Sequence, residues 1–449
     1  MNEPVARTES GPSSSAVSED QPQGLPKRSR ESHTYLTPET RRRGKRLYYL
    51  HSSFNAVSWA ALAEGVVVLL ILKLGATELW VGAIAALIYA TLPFMLMGYR
   101  TIPRFGVTGT ASLFWAMRSL SAVFILIAPW LAVHYSPPVA LWSVFIGALG
   151  FSLGRSGGMV AFTGIITELT TAQDRGDLIA NSSKLSQVMM ILMTFAVAGF
   201  LGAEAPLDRY QFFIGIGIIT GLCSAFLLWR IPESGRFKAT TPFSLRRELG
   251  WLLSSKGNRW FFAMMLLVPL TQGTTRIFVI LVAKTGYGLS DQEAMLFVLL
   301  GILGGIIASF TYGLFLDRVG SRPLMFLTGF LEMAGVLTVI LLPNERNAWL
   351  LALVFMLNGY AQVALEAALQ HYFISITTTE RQLPQGIVTR GLGGLVGGLA
   401  LYAGGGSLEG LRGLVGSEAE PLLPFRYFYA VLLAILLART LVFYYIPRL

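Results

Sequence analysis

Long apolar runs, such as Phe212 to Trp229 and Leu296 to Phe315, recur along the chain and are separated by short polar stretches carrying Gly, Pro and charge. Mostly apolar runs of about 18 or more residues have the length to cross the roughly 30 Å hydrocarbon core of a bilayer as helix. Inside that core every backbone N–H and C=O needs an internal partner, which a helix supplies. Composition points the same way: 53% of the 449 residues are hydrophobic and 13% are charged, against about a quarter charged in soluble domains. A water-soluble fold has no means of hiding that much apolar surface.

Reading the apolar runs between polar breaks places helices near 48–73, 77–98, 107–132, 138–166, 180–202 and 210–230, then 259–284, 291–315, 322–343, 347–374, 386–405 and 425–446. The longest internal polar stretch, Arg230 to Asn258, carries Arg236, Lys238, Arg246, Arg247 and Lys256 and divides the helices into two sets of six. The expected organisation is a polar, Ser-, Pro- and Arg-rich disordered tail at 1–46, a six-helix bundle at 47–230, a linker at 231–258 and a second bundle at 259–449. The tail has no short apolar core with a cleavage site, so no signal peptide is expected there. Cys223, alone in an apolar run, leaves no disulfide framework and no cysteine-rich metal site.

The formal charge of +10 does not point to nucleic acid, because its basic residues follow the helix map. With both termini in the cytoplasm, 25 of the 35 Lys and Arg fall on the cytoplasmic side, 6 on the opposite side and 4 inside spans. That asymmetry fixes the expected orientation in a cell membrane, of the bacterial inner-membrane type, and requires an even number of spans. The cluster Arg41, Arg42, Arg43, Lys45 and Arg46 either sets orientation alone or also meets anionic lipid headgroups.

The most specific string is Gly313-Leu-Phe-Leu-Asp317-Arg318-Val-Gly320-Ser-Arg322, at the cytoplasmic end of helix 8. It resembles the signature loop G-x-x-x-D-R-x-G-x-R of the major facilitator superfamily, in which a Gly-permitted turn and a helix-end carboxylate suit a gate. A second copy between helices 2 and 3, Gly98-Tyr-Arg100-Thr-Ile-Pro103-Arg104-Phe-Gly106, keeps glycines and basic residues but lacks the acid. Gln173-Asp174-Arg175-Gly176-Asp177 and Thr379-Glu380-Arg381 resemble family loops more loosely, and Pro232-Glu233-Ser234-Gly235-Arg236 resembles a sugar-porter string whose companions are missing. Helix 5 has no Gly-Pro pair of the drug–proton antiporter kind. The resemblance implies an all-α integral membrane fold of two pseudo-symmetric six-helix bundles, with helices 1, 4, 7 and 10 lining a central cavity.

Charges inside a span cost about 2.5–3.5 kcal/mol each on insertion scales and default to functional candidates. Glu64, Arg155, Arg276 and Glu366 fall on helices 1, 4, 7 and 10. Glu64 and Arg276 are 212 residues apart and Arg155 and Glu366 are 211, close to the 214 between Gly106 and Gly320. Corresponding places of the two repeats therefore carry opposite signs. Either the pairs are static bridges that pin the bundles, or Glu64 or Glu366 is a proton site with Arg155 or Arg276 as an anion site or charge partner.

Asn55, Thr271, Gln272, Thr274, Thr275, Asn358 and Gln362 are placed to hydrogen-bond a polar solute or to join helices, and Trp59 to stack on one or to fill core. Arg118 and Glu332 lie on helices outside the expected cavity, where interhelical pairing or snorkelling is expected, and Arg439 is expected to snorkel to a headgroup. His371 reads as a polar helix end or a proton relay. The chain lacks H-E-x-x-H, G-x-S-x-G and Walker A strings, so no enzyme and no cofactor is expected. The expected function is a monomeric secondary transporter of a small polar or charged solute, coupled to protons or alternatively to sodium. An efflux antiporter, or a non-transporting sensor on the same scaffold, is the rival.

Overall fold

The computed structural model describes residues 36–171, 174–202, 205–235, 243–377, 379–415 and 420–447. The expected tail up to residue 35, Arg236 and Lys238, and the side chains of Glu64 and Asp317 lie outside the described residues. Among those described, eleven helical stretches are long and apolar enough to cross a membrane, and the chain is a multi-pass membrane protein.

One stretch, Glu78–His134, has 57 residues and would be about 86 Å long as a single helix, far beyond a bilayer core. It reverses at Gly106, whose φ of 74° and ψ of 179° suit only glycine. Gly98 and Phe114, on either side of the reversal, both pack on Gly157. The eleven stretches therefore make twelve spans: Pro38–Lys73, two within Glu78–His134, Pro137–Leu169, Asp177–Leu201, Leu207–Arg230, Lys256–Gly286, Asp291–Tyr312, Ser321–Ile340, Ala348–Ile376, Arg381–Val415 and Leu423–Tyr445.

Three boundaries differ from those read in the sequence. Span 1 begins at Pro38 rather than near 48, because Thr37 caps it through Thr40 N–H (3.2 Å) and Pro38 suits the first turn. Span 11 runs well past 386–405 at both ends. The linker contains a short helix, Leu245–Leu252.

Small residues set the closest helix approaches, as expected in lipid, where no hydrophobic force draws helices together. A Cβ on Gly394 would lie 2.4 Å from Tyr89 O, and one on Gly405 2.6 Å from Glu78 O, so span 11 lies backbone to backbone along span 2. Toward the face opposite the termini one apolar core runs through both bundles, joining Val66, Ile71 and Val81 to Ile277, Leu401 and Phe425. Toward the termini there are two smaller clusters, one around Tyr48, Tyr99 and Ile165 that also takes in Ile387 of span 11, the other around Phe261, Leu324 and Tyr372, with Phe243 packed on both.

Arg439 does not snorkel. Its side chain is wholly buried, donates to Glu332 Oε2 at 2.6 Å and to Thr271 Oγ1 at 2.5 Å, and ties spans 7, 9 and 12 together. A partner at hand in the bundle is cheaper than a reach to the headgroups. Replacing Arg439 by Met alone should cost about 3–5 kcal/mol by stranding Glu332, and the Glu332→Leu/Arg439→Met pair should recover most of it. Melting of the purified variants in one detergent checks this.

Candidate functional site

Span 1 is broken in mid-course. Ala63 is extended (φ −103°, ψ 165°), so the helix stops at Leu62 and restarts at Glu64. Non-helical backbone at membrane depth is tolerated where it is buried in protein or lines a cavity. Here Ala60, Ala63 and Gly65 wall a cavity of about 300 Å³ between spans 1, 5, 7, 8 and 10.

Five of the residues expected at a site meet there: Trp59, Arg276, Asn358, Gln362 and Glu366 all line the cavity. Arg276 Nη1 donates to Gln362 Oε1 at 3.0 Å, and Gln272 Nε2 donates to the Gln362 carbonyl at 3.4 Å, so spans 7 and 10 hold each other's polar groups. Glu366 is exposed. The Asn358 amide oxygen is buried without a hydrogen-bond donor. Arg155 stands behind this wall: its guanidinium lies 5.3 Å from the Trp59 ring centroid and donates to Ile88 O at 3.3 Å.

Other expected solute ligands are already occupied. Asn55 Oδ1 accepts from Trp115 Nε1 (2.9 Å) and Arg118 Nη2 (3.0 Å), and Arg118 is buried between the Trp115 and Phe151 rings at 4.7 and 4.9 Å. Arg118 is therefore interior and does not snorkel. Thr271 and Thr275 belong to the Arg439–Glu332 cluster, and Thr274 bonds back to its own helix. His371 meets Ser321 Oγ at 2.7 Å, at the signature loop.

In that loop Gly320 takes φ 83° at the start of span 9. Arg322 donates to the Phe443 and Tyr444 carbonyls, tying the loop to the end of span 12. Arg318 is exposed, and Gly313 and Asp317 lie on the last turns of the Asp291–Val319 helix. The first copy, which lacks its own acid, borrows one. The Glu233 carboxylate accepts from Val107 N–H (2.9 Å), Thr108 N–H (3.1 Å) and Thr108 Oγ1 (2.8 Å), capping span 3 just past Gly106. Ser234 Oγ in turn donates to Glu168 at the end of span 4 (2.6 Å). Nearby, Lys45 donates to Asp174 and holds that carboxyl below its usual range, so this contact is lost only as pH falls through the lowered value.

The far side holds charges that the helix map treated only as orientation signals. Arg412 pairs with Glu78 at 2.7 Å, Lys284 pairs with Asp291, and Lys73 approaches Asp291 at 3.9 Å, around a recess of about 470 Å³. Glu409 also accepts from Leu79 N–H at 3.2 Å. Glu78 and Lys73 come from the first six spans, Asp291, Glu409 and Arg412 from the last six. A signal was available: acids at the first turns of spans 2 and 8 face bases at the last turns of spans 1, 7 and 11.

No family model and no curated protein matches the sequence. Solved structures do match the fold. A variant of the nucleoside transporter NupG superposes with a TM-score of 0.68 at 13% identity, covering 90% of this chain and 100% of that one. The fold is that of the major facilitator superfamily. A bacterial homologue of the iron transporter ferroportin in an inward-facing state gives 0.65 at 16% identity, over 90% of this chain and 99% of that one. A bacterial homologue of the lysosomal transporter Spinster, inward-facing and unoccupied, gives 0.64 at 14% identity, over 91% and 97%.

If the far-side pairs seal the cavity, Arg412→Gln should raise maleimide labelling from that face of a cysteine placed at Ala60, in a Cys223→Ser background. Unchanged labelling would show the apolar core to be sufficient.

Proposed function

We propose that the protein is a secondary active transporter that moves a small polar or charged solute by alternating access, with protons coupled through Glu64 or Glu366. The observation that carries this reading is a cavity between the two six-helix bundles into which Arg276, Gln362 and Glu366 project from an otherwise largely apolar wall, with ion pairs drawn from both bundles on the far face. The face with the termini is taken as cytoplasmic on the Lys and Arg asymmetry, so this conformation faces inward. The bundles at 47–230 and 259–449 rock as units about the linker.

Breaking Glu78–Arg412 and Lys73–Asp291 opens the far face, and closing the two cores around Tyr99 and Tyr372 seals the near one. The Glu233 cap and the Arg322 tie at the two signature loops hold the helix ends that must slide. Glu366, exposed in the cavity, exchanges protons with the open side.

The test is proton movement in proteoliposomes driven by pooled sugars, amino acids, nucleosides and organic acids. The parent should acidify or alkalinise its lumen with one pool, and either Glu64→Gln or Glu366→Gln should abolish that signal. Solute flux without proton movement would leave a transporter whose charges are structural or couple another ion.

A further inference from the structure

The interior charges do not balance, and the sign of the remainder names a class of solute. Mid-span positions hold Arg118, Arg155, Arg276 and Arg439 against Glu64, Glu332 and Glu366. Three pairs correspond across the repeats with opposite sign, because Arg118 and Glu332 are also 214 residues apart. Arg439 has no acidic counterpart: 214 residues before it stands Ala225.

Arg439 and Glu332 satisfy each other in a buried pair. What remains is three guanidiniums, on spans 3, 4 and 7, against two carboxylates, on spans 1 and 10. Arg118 is buried on neutral partners, Asn55, Ser58 and two aromatic faces, with its Nε unbonded. An arginine cannot shed its proton to relieve this. Any pairing among the remaining five leaves one positive charge over, and loading a proton on Glu64 or Glu366 makes it two.

Resting on the transport reading above, we infer that the solute is an organic monoanion. Its negative group is drawn to Arg276 at the cavity wall, and a planar or apolar body fits against Trp59, whose ring Arg155 already makes more positive behind it. A hydrogen-bond donor on the solute would satisfy the buried Asn358 oxygen. Charge complementarity of this kind selects sign first and shape second.

The test uses simple ions and needs no knowledge of the solute. Trp59 fluorescence, isolated as the difference between the parent and Trp59→Phe, is quenched with iodide, caesium and neutral acrylamide at one ionic strength in full-length protein in nanodiscs. Iodide should quench several-fold more strongly than caesium, and Arg276→Gln should remove most of that preference while leaving acrylamide quenching unchanged. Caesium quenching equal to or above that of iodide would overturn the inference. Iodide preference without liposome flux of any solute would keep the anion site and remove the transport reading. Flux of neutral or cationic solutes with no iodide preference would keep transport and remove the anion.

Discussion

A charge in hydrocarbon has to find a partner, and most of the interior of this protein is arranged by that demand. Arg439 and Glu332 meet it by pairing, and with Thr271 they tie spans 7, 9 and 12. Arg118 meets it with amide, hydroxyl and aromatic faces, which ties spans 1, 3 and 4. Arg276 meets it at the cavity wall, where Gln362 accepts from its guanidinium and Glu366 is exposed. The break at Ala63 obeys the matching rule for backbone, since its freed groups stand where the chain walls the cavity.

The two faces then differ for a physical reason. On the far side, apolar packing is continuous between the bundles and is ringed by Glu78–Arg412 and the Asp291 pairs. The bases of those pairs are part-exposed, but Glu78 and Asp291 are buried, so opening this face requires both carboxylates to meet water or new partners. Near the termini there are two apolar clusters that meet through Ile387 and Phe243, and the helix ends are held in addition by Glu233 and Arg322. The proposed alternating access would exchange these contacts on one face for contacts on the other.

Much of this was legible in the sequence because period and charge are local signals. The twelve spans follow from apolar length, and the correspondence of Glu64 with Arg276 and of Arg155 with Glu366 across the two repeats follows from residue numbers alone. What was hidden depends on distance in space. That Asn55 serves Arg118, that Arg439 turns inward to Glu332, and that Glu233 replaces a missing loop acid from 126 residues away are all tertiary facts. The break in span 1 was hidden too, because no proline marks it and Ala63 is an ordinary helix former.

The central claim is that the two bundles exchange one sealed face for the other. Paired spin labels report it directly, one pair at Phe105 and Val319 on the terminal face, a second at Tyr135 and Trp349 on the far face, each in a Cys223→Ser background. Lowering the pH or adding a solute that drives flux should shorten the first distance while lengthening the second. Two distances that stay fixed under every condition would contradict alternating access and leave a static bundle with an internal cavity.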